Sequence, residues 1–248
     1  MKKICTLLPI SLRNIHLSFY HSLVIDNLSL DLNSDGITII MGFNGAGKST
    51  LLKLLSNLLT PDAGTITWAG NAVLSKSLKL AQTIVLQKPV MLRRSVRENL
   101  KFVLKKREGS DNKGVNSIDK KIMSLLELVN LENLADRSAR SLSLGEQQRL
   151  SVIRSLALNP SIVYFDEPTS GLDPLSTKII EDVIRQGGET GIKMVVVTHS
   201  VSQAKRLGDD IIFMHNGKVI EQESANAFFN SPKSKEAKSF LSGVEVGD

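Results

Sequence analysis

A glycine-rich turn between an apolar strand and a helix is the first feature that could do chemistry. Residues 42–49 read GFNGAGKS and fit the pattern G-x-x-x-x-G-K-[ST]. The glycines let backbone N–H groups converge on phosphate oxygens, while Lys48 and the helix N-terminus add positive potential. The pattern predicts a nucleotide site formed by Gly42, Phe43, Asn44, Gly45, Ala46, Gly47, Lys48, Ser49 and Thr50. Ser49 is expected to be a Mg²⁺ ligand.

Two carboxylates end a second apolar strand, residues 161–165. Asp166 is placed to hold Mg²⁺, and Glu167, one residue later, is a candidate general base for an attacking water. Two acids at a strand end also fit a turn or a helix N-cap. The phosphate-binding pattern upstream favours the catalytic interpretation, although both motifs together also fit kinases and GTPases.

A third motif, LSLGEQQR at residues 142–149, lies ahead of the acidic strand. Ser143 and the amide of Gly145 can present donors to a phosphate at a helix N-terminus. The motif resembles the ABC (ATP-binding cassette) signature, usually LSGGQ or LSGGE followed by QR. Leu144 departs from the family, which normally has glycine there. The alternative is a capped surface helix without a partner nucleotide.

Further positions occur in the order that this family shows. Gln87 follows a predicted strand and resembles the family's Q-loop glutamine, which contacts the metal or the water. Residues 170–173, SGLD, resemble the D-loop that contacts a second subunit, and they include Asp173. His199 ends another strand and resembles the switch histidine at the γ-phosphate. In the family an aromatic side chain stacks on adenine, and Phe19 and Tyr20 are both candidates.

Strands and helices alternate along the chain, which predicts an α/β fold. Strands are predicted at 28–32, 37–41, 65–68, 83–86, 161–165 and 194–197, helices at 49–59 and 175–184, and an Asn-Gly hairpin at 211–220. The resemblance implies a P-loop NTPase fold of ABC type. It has a mostly parallel core sheet, an N-terminal antiparallel β-region and an inserted helical subdomain. We predict one ABC domain over 10–225 with the helical subdomain at about 88–158, and a polar tail over 226–248 that frays after Ser231.

Composition limits the cellular setting of the 248-residue chain. Cys5 is the only cysteine, which excludes an internal disulfide and favours a reducing compartment. The sequence contains no run of about 18 apolar residues, so no membrane span is predicted. The N-terminus lacks a convincing signal peptide. The net charge is +6, and many of the cations lie in 101–121, a segment with glycines that predicts a solvated loop between helices. No nucleic-acid partner is predicted.

The resemblance implies a Mg²⁺-dependent ATPase that binds ATP and pairs head to tail with a second cassette, as a homodimer. It predicts the energising subunit of a membrane transporter, cytoplasmic and peripheral on the inner face of the cell membrane. Its partners would be permease subunits and, for an importer, a solute-binding protein. Residues 87–96 resemble import cassettes for oxyanions such as tungstate, molybdate or phosphate. The alternative is a soluble cassette of the iron–sulfur assembly type.

Overall fold

The computed structural model describes residues 7–20, 22–108 and 115–243, with backbone only at 106–108 and 115–117. The strands are β1 Ile10–Phe19, β2 Ser22–Leu32, β3 Ile37–Gly42, β4 Ala63–Trp68, β5 Gln82–Val85, β6 Ile162–Asp166, β7 Lys193–Val197, β8 Asp210–His215 and β9 Lys218–Ser224. The helices are α1 Lys48–Leu55, α2 Lys76–Leu80, α3 Val96–Glu108, α4 Val115–Glu127, α5 Leu144–Leu156, α6 Pro174–Glu189, α7 Val201–Leu207, α8 Ala225–Asn230 and α9 Lys235–Ser242. Within these described residues, no helix is both long and apolar enough for a bilayer span.

Two sheets form the framework. The larger has the strand order β5-β6-β7-β3-β8-β9, with parallel pairs from β5 to β8 and an antiparallel last strand. The smaller, β2-β1-β4, is antiparallel. This arrangement confirms the predicted mixed α/β fold. Strands β3, β6 and β7 are buried along their whole length, because layers cover both faces of the larger sheet.

Successive residues of the central strands belong to two different hydrophobic cores. Ile39 and Phe165 pack with α3 to α7 and the C-terminal helices, whereas Ile40 and Tyr164 pack with α1 and the antiparallel sheet. Side chains of a strand point alternately to opposite faces, so the larger sheet is the middle of three layers. Because the strands from β5 to β8 are parallel, their carboxyl ends lie at one edge of the larger sheet.

The predicted hairpin is confirmed at its turn. Asn216 and Gly217 have φ of 45° and 74°, the two positive values that a type I′ turn requires. Predicted helix 49–59 ends earlier, at Leu55, because Asn57 adopts a left-handed conformation with φ 55°. The other predicted ends differ by up to six residues, the largest difference being at the start of β2.

The basic segment 101–121 was predicted to be a solvated loop between helices, and its described residues, 101–108 and 115–121, belong to two helices. α3 continues to Glu108 and α4 begins at Val115, while 109–114 lie outside the described residues. Leu100 and Leu104 are fully buried, and this i, i+4 spacing gives the lysine-rich helix an apolar face.

The segment after Ser231 was predicted to fray, which is wrong for α9. Ser234 caps this helix by accepting a hydrogen bond from the Ala237 amide. Phe240 packs edge-on against Phe43, with ring centroids 5.2 Å apart, and also contacts Phe213. Aromatic burial against the core outweighs the polar composition of the segment. Residues 244–248 lie outside the described residues.

Candidate nucleotide site

The glycine-rich loop joins β3 to α1 at the carboxyl edge of the parallel sheet. At Gly42, φ is 146° and a Cβ would lie 2.1 Å from the carbonyl oxygen of Met214. At Gly47, φ is 93° and a Cβ would lie 2.9 Å from Ile25 Cδ1 and 3.1 Å from the carbonyl oxygen of Val24. Both positions therefore exclude a side chain, and the loop is held against β8 and β2.

Lys48 is buried beneath this loop, with 7% of its surface exposed. Its Nζ donates to the carbonyl oxygens of Gly42 (2.9 Å) and Phe43 (2.8 Å). Burial lowers the pKa of Lys48, and the charges of Glu167 and Asp166 oppose that shift. The ammonium is held by neutral carbonyls, which a bound phosphate can replace as acceptors.

Ser49, in the first turn of α1, contacts Asp166 at the end of β6. Ser49 Oγ donates to Asp166 Oδ1 over 2.7 Å, and Asp166 is buried at the end of β6. A hydroxyl and a carboxylate oxygen are ligands that Mg²⁺ prefers, so the residues present fit that ion. Gln87 lies just beyond the end of β5, the neighbouring strand, and is exposed.

Glu167 and His199 form a second pair at the same edge. Nδ1 of His199 lies 2.9 Å from both carboxylate oxygens of Glu167. Glu167 has φ 46°, an uncommon conformation for a non-glycine residue, and its N–H donates to Val197 in β7. Because Nδ1 is engaged, the second ring nitrogen of the half-exposed His199 is available to a ligand.

The signature-like segment begins α5. Ser143 is its N-cap and forms a reciprocal capping box with Glu146, over 3.3 Å and 2.8 Å. Leu144 is 52% exposed, so its side chain causes no crowding within the chain. Gly145 is buried, and a Cβ there would lie 2.6 Å from Ser176 Oγ. The contacts of Ser143 and Gly145 thus lie with α5 and α6, not with the phosphate loop.

Comparison with known proteins decides the family. A sequence model for the family described as ABC transporter matches residues 25–170. The chain belongs to the ABC transporter family. It is 34% identical to the arginine transport ATP-binding protein ArtP of Haemophilus influenzae, covering 95% of this chain and 100% of the relative. It is 36% identical to the tungstate uptake system ATP-binding protein TupC of Peptoclostridium acidaminophilum, covering 90% and 100%.

Solved structures agree with this assignment. The ATP-binding cassette MJ0796, a dimer in a post-hydrolysis state bound to ADP and Pi, matches with a TM-score of 0.77 and 26% identity. The match covers 87% of this chain and 98% of that one. This ABC chain is thus an ATP-binding ATPase, and the α/β fold is that of the family's cassettes. The transport names of its relatives give no support to the soluble alternative.

Asp173 of the ABC chain caps α6. Its carboxylate accepts a hydrogen bond from the Ser176 amide over 2.8 Å, and hydrogen bonds from Ser176 lower its pKa. Asp173 Oδ2 would lie 3.2 Å from a Cβ on Gly145. Within one chain, the D-loop therefore lies beside the signature segment. The contact of the D-loop with a second subunit remains a prediction.

Both aromatic candidates for adenine stacking lie at the turn between β1 and β2. Phe19 is 40% exposed and Tyr20 is fully exposed, so neither is a core residue. The turn is close to the phosphate loop, because Val24 of the same hairpin borders Gly47. The choice between the two rings stays open.

Two buried glutamines near the ABC motifs were missed from the sequence. Gln148 in α5 donates to the carbonyl oxygen of Leu86, which directly precedes Gln87. Gln203 in α7 bonds the loop that follows Glu167. A signal was available for Gln148, since it falls three residues after Gly145 on the inner face of α5. Gln203 has no comparable sequence pattern.

Proposed function

We propose that the chain hydrolyses MgATP at this edge of the sheet and thereby energises a membrane importer. The observation that carries the proposal is the convergence of Lys48, the Ser49–Asp166 pair and the Glu167–His199 pair at one edge. Residues 42–50 would bind the phosphates of ATP. Lys48 would exchange its carbonyl acceptors for phosphate oxygens, and its buried charge favours the anion.

Ser49 and Asp166 would hold Mg²⁺, with Gln87 as an additional oxygen ligand. Bound there, the ion would neutralise phosphate charge during transfer. Glu167 would orient the attacking water and accept its proton. His199, fixed through Nδ1, would turn its other nitrogen to the γ-phosphate. Phe19 or Tyr20 would stack on adenine. This mechanism consists mainly of positioning and electrostatics.

A second copy of the chain would complete the site. Ser143 and Gly145 lie at the N-terminus of α5, the end of a helix that favours anions, and Leu144 between them is exposed. Two copies arranged head to tail would place each signature segment over the nucleotide of the other. The dimeric state of the related MJ0796 supports this arrangement.

A permease helix would bind in a groove of about 830 Å³ on the helical segment that follows Gln87. Four cationic and two acidic side chains line it, together with Phe102; the cations are Arg94, Arg97, Lys101 and Lys105. Arg94 lies over the Phe102 ring, 5.4 Å from its centroid. An apolar, net acidic helix would complement this surface. The chain would then be cytoplasmic and peripheral on the inner face of the membrane.

The proposed solute is anionic or amino-acid-like, as the names of the relatives suggest: their solutes are arginine for ArtP and tungstate for TupC. A solute-binding protein would be a further partner of such an importer. Within residues 87–96, whose sequence resembles oxyanion import cassettes, Arg94 and Ser95 line the groove.

Replacing Glu167 by glutamine tests the catalytic assignment. Glu167→Gln should bind ATP normally yet lose roughly 10²–10⁴-fold in hydrolysis, because the amide cannot take a proton from water. With turnover blocked, ATP and Mg²⁺ should also accumulate a dimer detectable by light scattering. The exposed Glu189→Gln is the matched control. Near-normal turnover by Glu167→Gln would remove Glu167 from the role.

A further inference from the structure

Gln203 is a buried polar side chain behind the catalytic pair, with 2% of its surface exposed. Its Nε2 donates to Thr169 Oγ1 over 2.8 Å and to Glu181 Oε1 over 3.1 Å. One amide group therefore joins three segments of the chain. Gln203 belongs to neither the phosphate loop nor the signature segment.

Two of the three segments begin at a residue of the ATP site, and the third follows the D-loop. Thr169 lies two residues after Glu167, in the loop closed by the hydrogen bond from the Ser170 amide to Glu167. Gln203 lies in α7, which follows directly after His199. Glu181 lies in α6, which begins after the Asp173 cap. Gln203 thus fixes the distance between the loop after Glu167 and the helix after His199.

The orientation of the amide is set by its neighbour Glu181. A carboxylate only accepts hydrogen bonds, so the NH₂ group of Gln203 must face it. Arg206 holds Glu181 in a bidentate pair, through Nε at 3.0 Å and Nη2 at 2.7 Å. Oε1 of Gln203 has no donor among the described residues. The Glu181–Arg206 pair therefore decides which end of the amide reaches Thr169.

A pocket of about 210 Å³ borders these elements. Its walls include Glu167, His199, Thr169 and Gln203, and they are rich in hydroxyl groups. Side chains bordering an open polar pocket are not held by close packing. The loop after Glu167 therefore depends on specific hydrogen bonds for its position.

We propose that Gln203 is a positioning residue for Glu167 and His199, with Glu181 and Arg206 setting the orientation of its amide. The proposal rests on the proposed role of Glu167 as general base. The proposed role is geometric. The 2.9 Å contact between Glu167 and His199 is maintained because the segments that follow these two residues are hydrogen-bonded to one another. Catalytic groups displaced by about 1 Å lose on the order of 10²-fold in rate.

Gln203→Leu keeps the size of the side chain and removes both donated bonds. We expect kcat for ATP hydrolysis to fall roughly 10- to 100-fold, while KM and the Kd for ATP change less than about twofold. The matched control is Gln82→Leu. Gln82 also donates one amide bond and has an Oε1 without a donor, but it lies at the start of β5, away from the ATP site.

Adding Gln203→Leu to Glu167→Gln separates positioning from general destabilisation. Without a base to position, the second change should lower the residual rate by a smaller factor than it lowers the wild-type rate, because only the positioning of His199 is then lost. A decrease equal to that seen in the wild-type background would overturn the proposal, as would unchanged kcat in the single variant. Normal turnover by Glu167→Gln alone would instead contradict the proposed function.

An exchange of the two side chains covers the case in which Gln203→Leu fails to fold. Gln203→Glu alone places a second carboxylate beside Glu181 and should lower kcat. The double variant Glu181→Gln with Gln203→Glu restores one amide and one carboxylate to the network and should recover most of the rate. Equal kcat for the single and double variants would contradict the proposed network.

Discussion

At the residue scale, two glycines of the phosphate loop differ in their constraints. One is constrained by backbone conformation alone and the other also by packing. Gly45 and Gly47 have left-handed φ values of 80° and 93°. A Cβ at Gly45 would have no neighbour within 4 Å, whereas one at Gly47 would press on Ile25 and Val24. Of these two glycines, only Gly47 is therefore required by packing as well as by backbone conformation.

Alanine at each position should show this difference. Both variants carry left-handed strain of about 1–2 kcal/mol. Gly47→Ala must in addition displace the loop from β2, so its Kd for ATP should rise at least roughly tenfold above that of Gly45→Ala, or about 1.4 kcal/mol. Isothermal titration with a non-hydrolysable analogue measures both constants. Equal affinities would show that the β2 contact does not shape the loop.

At the element scale, α9 links the C-terminus to the ATP site. Phe240 of α9 packs against Phe43, which belongs to the phosphate loop, and His215 packs on Phe43 from β8 at 5.6 Å. Ser234 at the start of α9 donates to Glu221 in β9. The helix is thereby fixed at one end by hydrogen bonds and at the other by aromatic contact.

Phe240→Ala should affect both stability and nucleotide binding. Losing a partly buried ring should lower the free energy of unfolding by roughly 1–2 kcal/mol. Because Phe43 loses its neighbour, the Kd for ATP should rise roughly fivefold, about 1 kcal/mol of coupling. The control Phe229→Ala removes a ring that packs on Phe228, outside the loop. ATP affinity unchanged by Phe240→Ala would restrict α9 to a stabilising role.

At the scale of the whole molecule, the ATP site and the proposed permease groove are joined through α5 and β5. Gln148 of α5 bonds Leu86 at the end of β5, and Arg154 of α5 bonds the carbonyl oxygen of Val90, ahead of the groove. The helix that begins with the signature segment therefore also supports the chain around Gln87. A contact in the groove could thus be transmitted to the site by a rigid element.

Charge reversal in the groove tests the proposed partner. Lys101→Glu with Lys105→Glu should lower co-purification with the permease from detergent-solubilised membranes roughly tenfold, because the groove loses its complementarity to an acidic helix. ATP hydrolysis by the isolated chain should not change. Lys76→Glu with Lys79→Glu makes the same change in charge on exposed α2. Capture of a soluble scaffold protein instead of a permease would support the iron–sulfur alternative.

Much of the ATP site was predictable from short segments. The loop at 42–49, the acids Asp166 and Glu167 and the turn at 216–217 were located from residue type alone, because glycine, asparagine and terminal carboxylates encode local backbone geometry. The positions of the central strands along the chain followed from continuous apolar runs. Helix α9 was misjudged, because its apolar positions have partners far away in the sequence.

The sequence by itself determined which local structures could bind phosphate and which family the chain resembles. Only the tertiary structure decided which residues meet: Ser49 with Asp166, His199 with Glu167, and Gln203 with Thr169. These pairs depend on the order β6-β7-β3, which brings strands from distant segments to one edge. A glycine turn is stable through its own dihedral angles, whereas a contact between strand ends exists only after the sheet has assembled.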